Sequence, residues 1–333
     1  MTHVHLSCRA MILATLVVLL SASLSFVGCS KVTGPLSRAN RSWYDKFGWH
    51  AEDYFDDPKV IALCEAIQNE DLAEIDRLVA AGADINALGK GKMTPLLWAF
   101  PENKLEVFKR ILEHGADPNV HVEDDFGTKM SGIVPGDSVT HLAAETWFPN
   151  YFKYVMQHGG DPNLVDPQHR ETPLFSVIKG HCTNKREAVQ LLIDAGADLD
   201  DVRSGATPAM AAVSWFGQYG LTLQLLEAGA DHEIYRPDSN QQLVHLVVRE
   251  QRRKPYWSAE QKSDYDELVA WLNAQGVSFE KAKADNAHWK EEGKLLPAQI
   301  RAVREREVKE RIRREEAEKA RQNAVEGERE KGE

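Results

Sequence analysis

The side chains of this 333-residue sequence that could do chemistry are few, and their spacing is not typical of an enzyme. His121 precedes an acidic group at 123–125 that could hold a hard cation, but the ligand spacing of a calcium loop is missing. His114 and His158 each precede a glycine, and this repetition at equivalent places indicates a structural use. We find no phosphate loop, nucleophile elbow or HExxH motif. The sequence therefore predicts a protein that is not an enzyme and holds no cofactor or metal.

The cysteines also lack a metal-binding pattern. They stand at positions 8, 29, 64 and 182, with no CxxC pair and no histidine at a zinc-site spacing. Neither a disulfide framework nor a zinc site is expected. Only Cys29 has a sequence context that predicts a specific chemistry.

Cys29 follows an apolar segment at the start of the chain. Residues 1–10 carry one arginine and no acid, and residues 11–27 are all apolar or small. A run of this length behind a positive flank predicts a secretory signal peptide, since it is slightly short for a membrane span. The sequence FVGCS at 26–30 resembles the bacterial lipobox. That resemblance implies removal of residues 1–28 and lipidation of Cys29.

The lipobox resemblance also implies a location. Each buried methylene of an acyl chain contributes about 0.8 kcal/mol, so lipid chains on Cys29 would hold the protein at a membrane. Ser30 stands where lipoproteins retained in the inner membrane have aspartate, which implies an outer-membrane lipoprotein facing the periplasm in a Gram-negative host. Phe26 departs from the usual leucine, so an uncleaved anchor and simple secretion are the alternatives.

The charge balance bears on the choice of partner. The chain has 40 lysine and arginine residues against 51 acidic residues, a formal net charge of −11. This excess disfavours a nucleic-acid partner and suits a basic protein partner. A negative charge also keeps proteins soluble, so the charge alone does not identify the partner.

Two short phrases recur along the chain. The first reads GADIN at 82–86, GADPN at 115–119, GGDPN at 159–163, GADLD at 196–200 and GADHE at 229–233. The second reads TPLLWA at 94–99, SVTHLA at 138–143, TPLFSV at 172–177, TPAMAA at 207–212 and QLVHLV at 242–247. Their period is about 33 residues with insertions. Together they resemble the ankyrin repeat, which is a turn followed by two antiparallel helices.

The residue types within each phrase have physical reasons. Thr94, Thr172 and Thr207 are expected to cap the first helix of their repeats, and the proline after each threonine suits the first helical turn. The glycine of GADxN follows the second helix, where a left-handed residue ends it. With a further helix pair at 58–81, we expect about six repeats in an all-α ankyrin-repeat solenoid with a charged C-terminal helix.

The expected domain organisation follows from these segments. It consists of a lipoprotein signal peptide at 1–28, a tether and N-terminal cap at 29–57, ankyrin repeats at 58–280 and a charged helical or disordered tail at 281–333. Six aromatic residues lie between Trp43 and Phe55. We favour capping of the first repeat over partner binding for these rings, because terminal repeats need a cover.

The ankyrin resemblance implies a binding scaffold whose partners dock on the concave face, at the fingers and just after each first helix. Aromatic residues, which are frequent at binding hot spots, stand at these places. The predicted partner-binding residues are Trp98, Glu102, Trp147, Phe148, Trp215, Phe216, Tyr256 and Trp257. Filling of the space between repeats is the alternative role for these rings. The insertions 121–137 and 250–263 are candidate specificity elements, with disordered decoration as the alternative.

These features predict a lipid-anchored envelope protein that binds a partner protein, as a monomer. A concrete version is an immunity protein that neutralises a toxic, basic effector in the periplasm. The alternative is a structural or assembly scaffold of an envelope complex. The two hypotheses differ in whether the repeats capture a partner or the tail organises an assembly.

Overall fold

The computed structural model describes residues 42–126, 133–146, 148, 150–236 and 240–291. The predicted signal peptide, Cys29, Trp147, the middle of the insertion 121–137 and the tail from residue 292 lie outside the described residues. Regular structure in the described ranges is helical, apart from one isolated bridge between Arg203 and Ala206. No helix in these ranges combines the length and the apolar character that a membrane crossing needs.

Fourteen α-helices lie in the described ranges. They are α1 (Trp43–Phe47), α2 (Pro58–Gln68), α3 (Leu72–Ala80), α4 (Pro95–Ala99), α5 (Leu105–Glu113), α6 (Val139–Glu145), α7 (Tyr151–Gln157), α8 (Pro173–Lys179), α9 (Lys185–Asp194), α10 (Pro208–Phe216), α11 (Tyr219–Glu227), α12 (Leu243–Glu250), α13 (Ala259–Ala274) and α14 (Phe279–Glu291). Short 3₁₀ turns occupy Ala51–Asp53, Lys90–Lys92 and Gln251–Tyr256.

The helices from α2 to α13 form six consecutive pairs within the described ranges, as the repeats predict. First helices pack side by side, with α6 against α8, α8 against α10 and α10 against α12. Second helices form a parallel row, with α5 against α7, α7 against α9 and α9 against α11. Each repeat therefore buries apolar surface against its neighbours as well as between its own two helices.

Hydroxyl caps start three of the six first helices in the described ranges. The Oγ1 atom of Thr94 accepts the Leu97 amide at 3.0 Å, and Thr207 caps α10 in the same way. Ser138 caps α6 by accepting the His141 amide at 3.3 Å. The predicted cap at Thr172 is wrong, since its buried hydroxyl has no hydrogen-bond partner among the described residues. Helix α8 starts there with Pro173 alone, which fits the first turn without losing a bond.

An asparagine ladder, formed by Asn86, Asn119 and Asn163, joins successive fingers. Each side chain donates from Nδ2 to the carbonyl of the glycine that opens the next GADxN phrase, at 2.8–3.0 Å. Each Oδ1 atom accepts the amide of the aspartate in that next phrase, at 2.7–2.9 Å. At the following step Asp200 replaces asparagine and only accepts, from Asp231 at 2.8 Å. The residue that ends each GADxN phrase thus sets the spacing between one finger and the next.

The N-terminal aromatic segment covers the first repeats. Tyr44, Trp49 and Phe55 are buried, and the Tyr44 hydroxyl donates to the Trp98 carbonyl at 2.9 Å. The Trp49 indole donates to the Phe126 carbonyl at 3.3 Å. These rings lie inside the molecule, so they are not available to a partner.

Helix α14 covers the last repeat. Ala282 packs against Val244 and Val248 of α12, and the Asn286 amide donates to the His245 carbonyl at 2.9 Å. The His245 ring also contacts the Asp285 carboxylate at 3.3 Å. The first part of the predicted tail, as far as residue 291, is therefore a packed helix rather than a free extension.

Candidate binding groove

A cavity of about 540 Å³ opens beside the first helices α6 and α8. It is lined by residues from the N-terminal segment, the end of α4, the insertion, both helices and the finger between them. These residues are Trp43, Phe100, Pro101, Ile133, Val134, Asp137, His141, Leu142, Glu145, Thr146, Phe148, Asp166, His169, Glu171, Ser176, Lys179, Gly180 and His181. We call this cavity the groove.

The insertion reaches the groove because its two ends are tied together. The Val122 amide donates to the Asp137 carbonyl and the Gly136 amide donates to the Val122 carbonyl, both at 2.8 Å. Gly136 has φ +99°, and a Cβ atom there would lie 2.6 Å from the Asp166 carboxylate. Glycine therefore permits the close approach that brings Asp137 to the groove.

Asp137 is a carboxylate held in a poorly solvated place. Its Oδ2 atom accepts the Val134 amide at 2.8 Å. Burial raises the pKa of Asp137 to about 7, with a smaller contribution from the negative charges of Glu145 and Asp166. Asp137 therefore changes charge in the neutral pH range, which an ordinary surface aspartate does not.

The other acids of the groove differ in their partners. Asp166 accepts His169 Nδ1 at 2.5 Å, and Glu171 pairs with Lys179 at 2.6 Å. Burial alone would raise the pKa of Asp166, but its backbone and His169 hydrogen bonds lower it. Over the described ranges, no basic side chain lies within 4 Å of Asp137.

His141 has a structural role in the wall of the groove. Its ring lies 2.9 Å from the Ser138 hydroxyl and 3.3 Å from the Glu171 carbonyl. Burial lowers the pKa of His141, so the ring is neutral at pH 7 and does not offset the acids beside it.

Two of the predicted partner-binding residues are buried, and those predictions are wrong. Trp98 is fully buried, because α1 lies over it and the Tyr44 ring stacks on it at 4.9 Å. Its indole donates to the Cys64 carbonyl at 3.1 Å. Trp257 is only 8% exposed, since it packs between Tyr219 and Tyr265. Both rings fill the interior.

Of the other predicted residues that the structure describes, one lines the groove, one holds the N-terminal segment and three are more exposed. Phe148 is half-buried and lines the groove, with its ring 5.6 Å from Phe100. Glu102 is half-buried and accepts the Trp43 amide, so it holds the N-terminal segment. The exposed fraction is 39% for Trp215, 43% for Phe216 and 88% for Tyr256, and none of these three side chains lines the groove.

Asp137, Glu145 and Asp166 were not predicted as site residues. Asp137 ends the insertion 121–137, a candidate specificity element, but this side chain was not among the predicted site residues. The groove combines carboxylates with the apolar side chains of Ile133 and Leu142. Such a surface can bind a group with a positive charge and an apolar stem. The described residues contain no group of histidine, cysteine and acidic side chains that could hold a metal ion.

Comparisons with known proteins address the repeats. A family model described as ankyrin repeats (3 copies) matches residues 140–236, and a second described as ankyrin repeat matches residues 92–122.

The chain is also similar to solved structures. One is the ankyrin repeat domain of Bcl-3, described as a unique member of the IkappaB protein family, at 24% identity, 57% of this chain, 85% of that chain and TM-score 0.43. Another is an ankyrin repeat domain from Acinetobacter baumannii AYE, at 20% identity, 63% of this chain, 97% of that chain and TM-score 0.48. Residues 92–122 and 140–236 therefore carry ankyrin repeats, and across the described ranges the helices pair in six units as an ankyrin-repeat solenoid, a fold that implies a role in protein–protein interaction.

Proposed function

We propose that this protein binds a partner protein through the groove, at the surface of a bacterial membrane to which a lipid on Cys29 anchors it. The groove carries the first half of the proposal. It has a volume of about 540 Å³ and combines apolar walls with a carboxylate, Asp137, that has no basic neighbour within 4 Å in the described ranges. Pockets of this volume commonly bind ligands.

The lipid anchor is supported by the sequence alone. An apolar segment at 11–27 is followed by FVGCS at 26–30, which resembles the lipobox. In a Gram-negative host the protein would face the periplasm from the outer membrane. Metabolic labelling with a palmitate analogue tests this directly. We expect label on the full chain and on a Cys182→Ser control, and none on Cys29→Ala; label on the Cys29→Ala variant would refute the anchor.

Within this function, the specific role that we propose is immunity against a toxic effector delivered to the periplasm. A net charge of −11 and an acidic groove suit a basic effector. The test is co-expression with each secreted protein that the neighbouring genes are found to encode, followed by growth measurement and co-purification from membranes. Rescue of growth together with co-purification supports the role, whereas co-purification of structural envelope proteins alone favours an assembly scaffold.

A charge-reversal pair tests the groove itself. Glu145 lines the groove and is exposed, so Glu145→Arg would place a positive charge inside it without removing a core side chain. We expect this variant to weaken partner binding at least tenfold, because like charges meet across a desolvated surface. Glu227→Arg is the matched control, since Glu227 is exposed at the end of α11 and does not line the groove. Equal binding by both variants would place the interface elsewhere.

A further inference from the structure

We propose that the groove receives an arginine side chain of the partner, with the guanidinium group beside Asp137 and Glu145 and the aliphatic stem against the apolar wall. This inference rests on the proposed function, because it names the chemistry of the partner at the same groove. It is argued from charge complementarity, from the shape of the groove and from the rings that line it.

The charges of the groove are unevenly compensated. Glu171 is paired with Lys179 and Asp166 with His169. Asp137 and Glu145 have no such partner within 4 Å in the described ranges. Among the described residues, an incoming cation therefore meets two carboxyl groups without an ion pair; a hydrogen bond from Ser176 and the more distant charge of Lys179 act on Glu145. A neutral or acidic group would leave them desolvated and uncompensated, which disfavours its binding.

The walls distinguish arginine from other cations. Phe100, Leu142 and Phe148 are among the apolar residues that line the groove, and of these Phe148 is half-buried while the other two are buried. A guanidinium group is planar and weakly hydrated, and it stacks on aromatic rings while donating hydrogen bonds from its edge. A lysine ammonium is more strongly hydrated and gains less from such rings. The volume of about 540 Å³ also leaves room for residues on both sides of the arginine.

Binding of the arginine is coupled to proton release at Asp137. Burial raises the pKa of Asp137 to about 7, and Glu145 and Asp166 act in the same direction, whereas the Val134 amide and His169 lower it. The other titratable groups around the groove are His141, Glu171, Lys179 and His181. About one-tenth of Asp137 is ionised at pH 6 and about nine-tenths at pH 8. If only the ionised form binds the cation, affinity rises about tenfold over this interval.

The test uses the full chain and the capped pentapeptide Ac-Gly-Ala-Arg-Ala-Gly-NH₂ as the probe. A second peptide replaces arginine with citrulline, which has a similar shape and no charge, and a third replaces it with lysine. Binding is measured at pH 6 and pH 8 from the carboxyl NMR signals of protein labelled with ¹³C-aspartate. We expect the arginine peptide to shift the Asp137 signal and to bind about tenfold more tightly at pH 8. Equal binding of the citrulline peptide, or tighter binding of the lysine peptide, would overturn the proposal.

Two variants test whether the pH dependence comes from Asp137. Asp137→Asn keeps an oxygen that can accept the Val134 amide and removes the charge. We expect it to lose most of the pH dependence and to bind the arginine peptide more weakly at pH 8. Glu227→Gln, outside the groove, should retain both properties. A tenfold pH dependence that persists in Asp137→Asn would contradict the assignment of the proton to Asp137.

Failure of this inference differs from failure of the proposed function. If Glu145→Arg weakens capture of a partner and Asp137→Asn does not, the groove is still the binding site, but the proposal of an arginine beside Asp137 is contradicted. Binding of the arginine peptide without capture of any partner protein would support the chemistry of the groove and contradict its use in protein binding.

Discussion

Asp137→Asn should make the protein more stable, and more so as the pH rises. The pKa of Asp137 is raised from an ordinary 3.8 to about 7, mainly by burial. Because the unfolded chain gives up this proton at lower pH than the folded chain, the carboxyl group destabilises the fold increasingly from about pH 4 to pH 7. Asparagine removes the charge, and its side-chain oxygen can still accept the Val134 amide.

The size of the effect follows from the shift. Three pKa units correspond to about 4 kcal/mol, which is the largest gain expected at pH 8. At pH 5, which is only about one unit above the pKa of the unfolded chain, less of this penalty has accumulated, and the gain is about 1.5 kcal/mol. The difference between the two pH values, about 2.5 kcal/mol, is the diagnostic quantity because it cancels any change in hydrogen bonding that does not depend on pH.

Urea unfolding of the full chain at pH 5 and pH 8, followed by tryptophan fluorescence, measures this difference. The slope of the free energy of unfolding against urea concentration reports the surface exposed on unfolding, so we compare only variants in which this slope is unchanged. Glu227→Gln is the control, and a surface change of this kind is expected to stay within about 0.5 kcal/mol. A gain for Asp137→Asn that is equal at both pH values, or a loss at pH 8, would refute the reasoning that Asp137 titrates near neutrality.

Three further predictions concern the repeat scaffold and use the same unfolding measurement, with Tyr256→Ala as a control for one of them. Asp200→Asn should stabilise the fold by about 0.5–1.5 kcal/mol, because the new amide can donate to the Gly229 carbonyl as the ladder asparagines do at their steps; no gain would contradict this. Trp98→Ala should lower the free energy of unfolding by about 3–5 kcal/mol, because the ring is fully buried. Tyr256→Ala, at a side chain that is 88% exposed, should change it by no more than about 0.5 kcal/mol, and similar losses for the two variants would contradict this difference in burial. Gly91→Ala should lower the free energy of unfolding by at least about 1 kcal/mol, because φ is +64° and the new Cβ atom would lie 2.6 Å from the Cβ atom of Asp124 in the insertion. An unchanged stability would show that the insertion moves to make room for the new atom.

The repeats could be predicted from the sequence because their signals are local. Thr94 with its following proline marks the start of a first helix, and the glycine of GADxN marks the end of a second helix. The effect of these residues on the backbone extends over only four or five positions along the chain. The sequence therefore predicted the helix pairs, including the one that Ser138 begins with a hydroxyl cap.

The exposure of individual rings could not be predicted, because it depends on contacts between distant segments. Trp98 stands at a position that the ankyrin resemblance assigns to the concave face. It is buried because α1, which lies more than fifty residues earlier in the chain, packs over it. Trp257 lies in an insertion that suggested an exposed loop, but α13 brings Tyr265 against it. A repeat pattern describes neighbours along the solenoid and carries no information about segments added at its ends.

The groove could not be predicted from the sequence either, because it also depends on contacts between distant segments. Asp137 comes from an insertion, Glu145 from α6 and Asp166 from the next finger, and their effect on one another exists only where the three segments meet. A sequence shows three ordinary acidic residues. Its useful signal was the insertion 121–137 itself, whose last residue lines the groove.

The asparagine ladder separates the frame of this protein from its variable surface. The step from Asn119 to Gly159 includes the insertion 121–137, while the step from Asn86 to Gly115 includes only an ordinary repeat, and the two bonds measure 2.8 and 3.0 Å. The length of chain between two steps therefore has no influence on how the fingers are spaced. Insertions can lengthen, shorten or be exchanged while the scaffold keeps its dimensions, so recognition in such a protein is free to diversify far faster than its architecture.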